Sequence, residues 1–296
     1  MRRDAFYGVH PAVSMAFFLA VMLITAFVLH PVLTGVSLIG AVVCAVRSYG
    51  RRAVKFIFAA ALPVCLLAAA LNPVFNHAGV RVLFYFGNGN AVTLEAVLYG
   101  LNSGCMFAAL LIWSLYLSRI MTGDKYIFLF GRALPALSLV FSMVLRFIPR
   151  MTARIREVSA AQRSVAPPLK KGPAAAIKHG LQVLSVTVTW ALESAVTASD
   201  SMKSRGYGLK GRTAYALYSF ESRDALLLGV MLAASAVTAA AVGLKQVYFR
   251  YYPSIKFAAQ SGLSWAAYAA FAVLCLLPVL LNVKEAVSWR ISISKI

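Results

Sequence analysis

The stretch DSMKSRGYGLKGRT, residues 200–213, stands where a long helix of mixed polarity should end, inside the basic segment 119–223. Apolar stretches of membrane-spanning length flank that segment on both sides. Gly206 suits the left-handed residue that follows a helix, and Lys203 and Arg205 suit the negative end of the helix dipole. An arginine and a glycine at such a helix end are well placed to contact a soluble partner. The pattern favours transport over chemistry.

The composition predicts an integral membrane protein. Of the 296 residues, 61% are hydrophobic and only 13% are charged, whereas soluble domains have about 45–50% apolar and about 25% charged residues. We therefore predict an all-α membrane protein with about five to six transmembrane helices and a cytosolic insert of two long helices. The predicted segments are 1–118, 119–223 and 224–296. The candidate spans are 13–29, 32–46, 55–71, 94–118, 225–243 and 263–281, of which the first two are short and could form a hairpin that does not cross fully.

The charge distribution predicts the orientation. With both termini in the cytosol, 25 of the 29 Lys and Arg residues face inward, and the outward ones are Arg81, Lys245, Arg250 and Lys256. We therefore predict a multi-pass protein of the cell (plasma) membrane. The same bias explains much of the net charge of +20 through anionic lipid, without nucleic acid as a partner.

The insert carries two helical patterns, at about 135–162 and 174–204, joined by a proline-rich turn at 165–173. In the first pattern, Pro149 predicts a kink, and arginines recur at every fourth position: Arg146, Arg150 and Arg154. The second pattern is about 45 Å long at 1.5 Å per residue. Because it contains residues such as Lys178, Glu193 and Asp200, we predict that it lies along the cytosolic interface rather than across the membrane.

No catalytic or cofactor chemistry is predicted for this chain. Cys44, Cys65, Cys105 and Cys275 are scattered through apolar sequence, and neither they nor the four histidines show the spacing of metal ligands. Residues 206–211 match G-x-G-x-x-G and residues 206–213 resemble a P-loop, but both follow a helix rather than a strand, and Arg212 stands where a P-loop needs lysine. Energy for transport would therefore come from another subunit or an ion gradient.

Ion coupling is not predicted either, because the candidate spans hold no acid deep inside: Glu95 is near one end of its span, and Asp224 borders the cytosol. Two other classes stay open. One is a membrane enzyme whose basic insert holds phosphate groups, which would need paired acids or a histidine-centred site at the interface. The other is a stand-alone membrane scaffold without an ATPase partner.

Three segments carry a resemblance to a known family. They are NPVFNH (72–77) with TLEAVLYG (93–100), SMVLRFIPR (142–150) and DSMKSRGYG (200–208). In these segments, and along essentially its full length, the chain resembles the transmembrane T component of energy-coupling-factor (ECF) transporters of vitamins and metals.

The resemblance implies a non-catalytic scaffold with two crossing coupling helices. In that family each coupling helix ends in an Ala-Arg-Gly-like tripeptide, which docks into a groove on one of two cytosolic ABC ATPases, A and A′. The helices also hold a membrane S component that binds the vitamin, while ATP and Mg²⁺ are bound by the ATPases. Here Ser204, Arg205 and Gly206 match the second tripeptide, with Met202 and Lys203 as supporting residues.

The match to the first tripeptide is poorer, since the chain reads AQRSVA at 161–166. Either Arg163 is the docking arginine, flanked by Gln162 and Ser164, or Val165 occupies the family's arginine position. We favour Arg163. Arg146 and Arg150 of the second matching segment are expected to support the site.

Overall fold

The structure is a computed structural model that describes residues 5–77, 79–85, 91–131, 134–165, 172–207, 218–257 and 260–293. It is 83% helical, which confirms the all-α class. The chain divides into two compact units: unit 1 is Met1–Thr122 with Tyr218–Ile296, and unit 2 is Gly123–Leu217. Each unit is described by itself.

Unit 1 contains the apolar helices that flank unit 2 in the sequence. They are α1 (Pro11–Phe27), α2 (Pro31–Tyr49), α3 (Arg51–Phe56), α4 (Leu62–Phe75), α5 (Leu94–Ile120), α9 (Ser222–Gly243) and α10 (Gly262–Ile293), with a 3₁₀ turn at Ala5–Gly8. A π-helical segment, Ile57–Ala61, joins α3 to α4 without a break. The described residues of the unit also form two short antiparallel strand pairs, β1 (Val82–Tyr85) with β2 (Ala91–Thr93) and β3 (Phe249–Arg250) with β4 (Lys256–Phe257). The sequence had not predicted these hairpins.

Unit 2 contains α6 (Gly123–Gly131), α7 (Pro135–Val165) and α8 (Pro173–Ser204). The two long helices agree with the predicted patterns, and α7 continues through Pro149. The short helix α6 was not predicted; it packs against α7, where the Ser138 hydroxyl donates a hydrogen bond to the carbonyl of Ile127 at 3.1 Å. The predicted proline-rich turn lies mostly outside the described residues, as do Gly208–Thr213 of the two glycine motifs.

Helices α1 and α2 begin with the same His-Pro pair. His10 and His30 are the N-cap residues, and the Nδ1 atom of each accepts a hydrogen bond at 3.3 Å from the backbone N–H two residues later. Pro11 and Pro31 occupy the first turn, where a missing N–H removes no helical bond. His30 and Pro31, which separate the first two predicted spans, are therefore the start of a well-capped helix.

The core of unit 1 lies where α1, α2 and α5 meet. Phe17, Phe18 and Trp113 pack edge to face with ring centroids 5.1–6.4 Å apart, together with Phe6. Edge-to-face pairs place the positive ring edge on the negative ring face, which adds stabilisation beyond area burial. These large rings are almost fully buried and fix the rotation of α1 and α5 about their axes.

Helices α4 and α5 approach each other through two glycines spaced four residues apart. A Cβ atom on Gly100 would lie 3.0 Å from the carbonyl oxygen of Ala69, and one on Gly104 would overlap the carbonyl oxygen of Cys65. Small residues at this spacing allow helix backbones to pack closely in membranes. The contact also brings the sulfur atoms of Cys65 and Cys105 to 3.8 Å.

The helix ends of unit 1 form two groups, because successive helices alternate in direction. We call one group the arginine end; it contains Arg47 in the last turn of α2, Arg52 at the start of α3 and Arg119 in the last turn of α5. There Arg47 Nη2 donates a hydrogen bond to the carbonyl of Asn282 at 3.4 Å. The other group is the tyrosine end, where Tyr251 and other rings cluster.

In the part of the chain that the structure describes, six helices are able to cross a membrane by length and composition: Pro31–Tyr49, Arg51–Phe75, Leu94–Ile120, Ala176–Ser204, Ser222–Gly243 and Gly262–Trp289. This confirms the multi-pass membrane character. Helix α1, with 17 residues, is at the lower limit of about 17–25 residues for crossing. Helix α8 is among these helices, so its length and composition also permit a crossing, and its position along the cytosolic interface stays a prediction.

We predict that Gly104→Ala destabilises the packing of α4 on α5. The new methyl group would meet backbone, which cannot rotate away, so the cost should be about 1–3 kcal/mol, as for other overpacked sites. The measurement is the thermal unfolding temperature in detergent, which should be lower for Gly104→Ala than for the wild type. In Gly229→Ala, the control, the methyl group meets nothing within 4 Å on exposed α9 and should leave the transition unchanged or raise it. Equal effects of the two variants would contradict the close contact.

We predict that stability falls as the pH drops below about 6.5, and that His30 causes part of the fall. Burial lowers the pKa of His30. Below the ordinary histidine pKa, His30 takes up a proton in the unfolded chain but stays neutral in the folded protein. The free energy of unfolding therefore decreases as the pH falls from the ordinary pKa to the lowered pKa of the folded state. Protonation of Nδ1 would also remove the acceptor of the Val32 N–H.

The variant that isolates this effect is His30→Asn, since asparagine keeps an N-cap acceptor but does not titrate. Its thermal transition should change less between pH 7.5 and pH 5.5 than that of the wild type. An unchanged dependence in His30→Asn would show that other groups control it.

Candidate functional site

The end of α8 has the hydrogen bonds of a Schellman motif. The N–H of Tyr207 donates to the carbonyl of Met202, and the N–H of Gly206 donates to the carbonyl of Lys203, both at 2.9 Å. Gly206 has φ +71°, a left-handed conformation that glycine adopts without a Cβ penalty. The predicted left-handed residue after the helix is thus confirmed. These bonds fix the backbone on both sides of Arg205.

Arg205 is the C-cap residue of α8, and its side chain is exposed, as are those of Ser204 and Lys203. The Ser204 hydroxyl donates to the carbonyl of Ser201 at 3.0 Å, which folds it back on the helix. Since the backbone is held by the cap, the guanidinium extends from a fixed base. Met202 is half-buried.

The last turn of α7 contains Gln162, Arg163 and Ser164. Arg163 and Ser164 are exposed, and the Ser164 hydroxyl donates to the carbonyl of Ala160 at 3.1 Å. Gln162 is half-buried, and its Oε1 has no hydrogen-bond partner among the described residues. Val165 is also strongly exposed, at 87%. Exposure therefore does not separate the two alternatives for the first docking position.

Helices α7 and α8 pack antiparallel. Phe147 of α7 stacks on Trp190 of α8, with rings 10° from parallel and centroids 6.2 Å apart. Further along α7, the Ser159 hydroxyl lies 3.2 Å from Nε2 of His179, which comes earlier in α8. Partner residues thus run in opposite order along the two helices.

The antiparallel packing separates the two predicted tripeptides. Arg163 lies one turn beyond Ser159, beside the first turns of α8, whereas Arg205 lies at the other end of α8. At 1.5 Å per residue the separation along α8 is on the order of 40 Å. The three residues of each tripeptide therefore lie at one helix end, but the two tripeptides do not form a single site.

Arg146 and Arg150 are exposed on α7, between its apolar first half and Arg154. Arg154 is held at the centre of the helix pair: its guanidinium lies over the Trp190 ring at 5.5 Å and forms an ion pair with Glu157 at 3.1 Å. Sequence reasoning had not assigned Trp190 or His179 a role. The sequence feature that pointed to Trp190 was one large aromatic residue in the second helical pattern, opposite a first pattern with arginines at every fourth position.

The buried acids Asp224 and Glu95 each accept hydrogen bonds from backbone N–H groups. Asp224 and Glu221 form a capping box at the start of α9, and Asp224 also accepts from the N–H of His10 at 3.4 Å. Glu95, in the first turn of α5, accepts from the N–H of Arg81 at 3.3–3.4 Å. In the described part of the chain, no three His, Cys, Asp or Glu residues group closely enough to hold a metal ion.

No protein-family model matches the chain, and no curated protein has a detectably similar sequence. The resemblance to ECF T components stays a prediction from the three sequence segments.

Proposed function

We propose that this chain is the energy-coupling transmembrane subunit of an ECF-type ABC importer of vitamins or related micronutrients. The observation that carries the proposal is the exposed Arg205 on a rigid helix end, on the order of 40 Å from an exposed arginine at the end of the antiparallel partner helix. The chain is a scaffold rather than an enzyme, and ATP hydrolysis belongs to its partners.

The separation of the two arginines fits two docking points better than one ligand site. A small ligand cannot reach both guanidinium groups, whereas two ATPase subunits side by side can each take one. An arginine side chain has a planar fork of five N–H donors that can bind a carboxylate with two parallel bonds. Such charge-assisted bonds contribute about 1.5–3 kcal/mol each.

The contacts between α7 and α8 would allow motion to pass along the pair. The stacked Phe147 and Trp190 rings, with Arg154 over the second ring, join the helices near their middle. Movement of an ATPase at Arg205 would then tilt the helix as a lever rather than bend it locally. Such coupling requires contacts whose free energy differs between the two ATPase states.

Helix α8 also has a surface suited to a membrane partner. Exposed apolar side chains recur at three- and four-residue spacing along its length: Ile177, Leu181, Leu184, Val188, Leu192 and Val196. Exposed Lys178 and Lys203 lie near the two ends of the helix, and exposed Glu193 lies off the apolar stripe. An amphipathic helix of this kind fits the membrane interface, with the apolar stripe against an S component or lipid.

We predict that Arg205→Glu prevents docking of the ATPase pair. The substitution removes a charge-assisted bond of about 1.5–3 kcal/mol, equivalent to a roughly 10- to 100-fold loss of affinity, and adds repulsion from the partner's acid. The measurement is size-exclusion chromatography of the chain co-expressed with its candidate ATPases. Because the cap uses backbone bonds, the variant should keep the wild-type thermal transition.

The matched control for this experiment is Arg250→Glu, which makes the same charge reversal on β3 at the tyrosine end. It should leave the complex intact. A complex that survives Arg205→Glu would contradict the proposed contact. If the wild type forms no complex either, the result would favour the alternative of a stand-alone membrane scaffold without an ATPase partner.

We predict that Arg163→Glu weakens docking at a second, independent point, while Val165→Ser has no effect. Interactions more than about 7–10 Å apart are usually additive, so Arg163→Glu and Arg205→Glu should lower binding by increments that add. Immobilised chain titrated with each ATPase subunit separately would measure both increments. The reverse result, with Val165→Ser weakening and Arg163→Glu neutral, would favour the Val165 alignment.

A further inference from the structure

A groove of about 770 Å³ opens at the arginine end of unit 1, between α2, α3, α5 and α10. This volume is within the range of about 300–1,000 Å³ that is usual for small-molecule sites. Its polar side is formed by Arg47, Arg52 and Arg119, and its apolar side by valines of α2 and α10. No acidic side chain lines it in the described part of the chain.

Arg47 and Arg119 of the groove are oriented by contacts with other residues of unit 1. The guanidinium of Arg119 lies 5.7 Å from the centre of the Tyr49 ring, and Arg47 Nη2 donates to the carbonyl of Asn282 at 3.4 Å. A guanidinium has five N–H donors, so one bond to a carbonyl holds Arg47 in place and leaves donors for an anion. Arg52 is exposed at the rim, after the left-handed Gly50.

The apolar side extends from the arginines toward the middle of the helices. Val42, Val43 and Val46 lie on α2 within two turns of Arg47, and Val279 of α10 faces the same groove. Val43 and Val46 are exposed. Four residues of helix span about 6 Å, so an amphiphile could place its charged group among the arginines and its chain along the valines.

We propose that this groove binds an anionic phospholipid, with its phosphate at Arg47, Arg52 and Arg119 and an acyl chain along Val43 and Val46. Basic pockets between membrane helices are suited to anionic headgroups, and the arginine fork matches phosphate oxygens. The apolar wall favours a lipid over a free anion, because a soluble phosphate would gain nothing from the valines. This site lies wholly within unit 1 and does not depend on the proposed transport function.

The test uses the full chain purified in detergent and exposed to mixed micelles of phosphatidylglycerol and phosphatidylcholine. Native mass spectrometry counts the lipids that stay bound. The wild type should retain phosphatidylglycerol in preference to phosphatidylcholine. Arg47→Gln with Arg52→Gln should lower phosphatidylglycerol affinity about 30-fold, as expected for the loss of two basic contacts with an anionic lipid.

The matched control is Arg250→Gln with Lys256→Gln, which removes the same charge at the tyrosine end and should bind like the wild type. Equal losses in both double variants would overturn the site in favour of nonspecific charge. A second measurement on the wild type needs no variant: glycerol phosphate and inorganic phosphate are added as competitors. Displacement by either one at concentrations comparable to the lipid would show a free-anion site and overturn the lipid assignment, as would equal retention of the two lipids.

Discussion

Unit 1 depends on the association of α1, α2 and α5. Hydrogen bonds among Trp113, Ser37 and Thr25 join these three helices. The Trp113 indole N–H donates to the Ser37 hydroxyl at 3.0 Å, and the Thr25 hydroxyl lies 2.7 Å from that same oxygen. All three side chains are almost fully buried. Helices surrounded by lipid gain little from apolar burial alone, so buried polar contacts and close packing decide which helices associate. These hydrogen bonds therefore fix the positions of α1, α2 and α5 relative to one another, and the aromatic core forms around them.

The close approach of α4 to α5 extends this arrangement to the rest of the unit. Gly104 lets the backbones touch, and the Asn72 side chain, near the end of α4, donates to the carbonyl of Ala96 at 2.6 Å. Its amide also reaches the Tyr252 hydroxyl at 3.1 Å, which ties the hairpin segment before α10 to the same helix pair. The hairpin segment before α10 is thus attached to the helices at the tyrosine end.

The sequence predicted features that depend on local chemistry and missed those that depend on helix rotation. Hydropathy located the starts of the apolar helices within about four residues, although α10 extends to Ile293, well past the predicted end at 281. Gly206 with its flanking cations predicted the cap of α8. The stacking of Phe147 on Trp190 could not be predicted, because it requires knowing which face of α7 meets which face of α8. Hydropathy alone does not place α8, since its length and composition permit a crossing while Lys178, Glu193 and Asp200 favour the interface.

The number of basic residues is no evidence for docking, because the orientation of a membrane protein already requires lysine and arginine on one side. What distinguishes Arg205 is its position: a Schellman motif fixes its backbone, and the helix behind it extends to the other predicted contact. The same reasoning distinguishes Arg47, whose guanidinium is oriented by a carbonyl beside an apolar wall. A general electrostatic effect would respond to charge wherever it is removed, whereas a site responds only at its own residues. Variants that remove the same charge at the two ends of unit 1 therefore distinguish a specific site from the general effect of basic residues on membrane orientation.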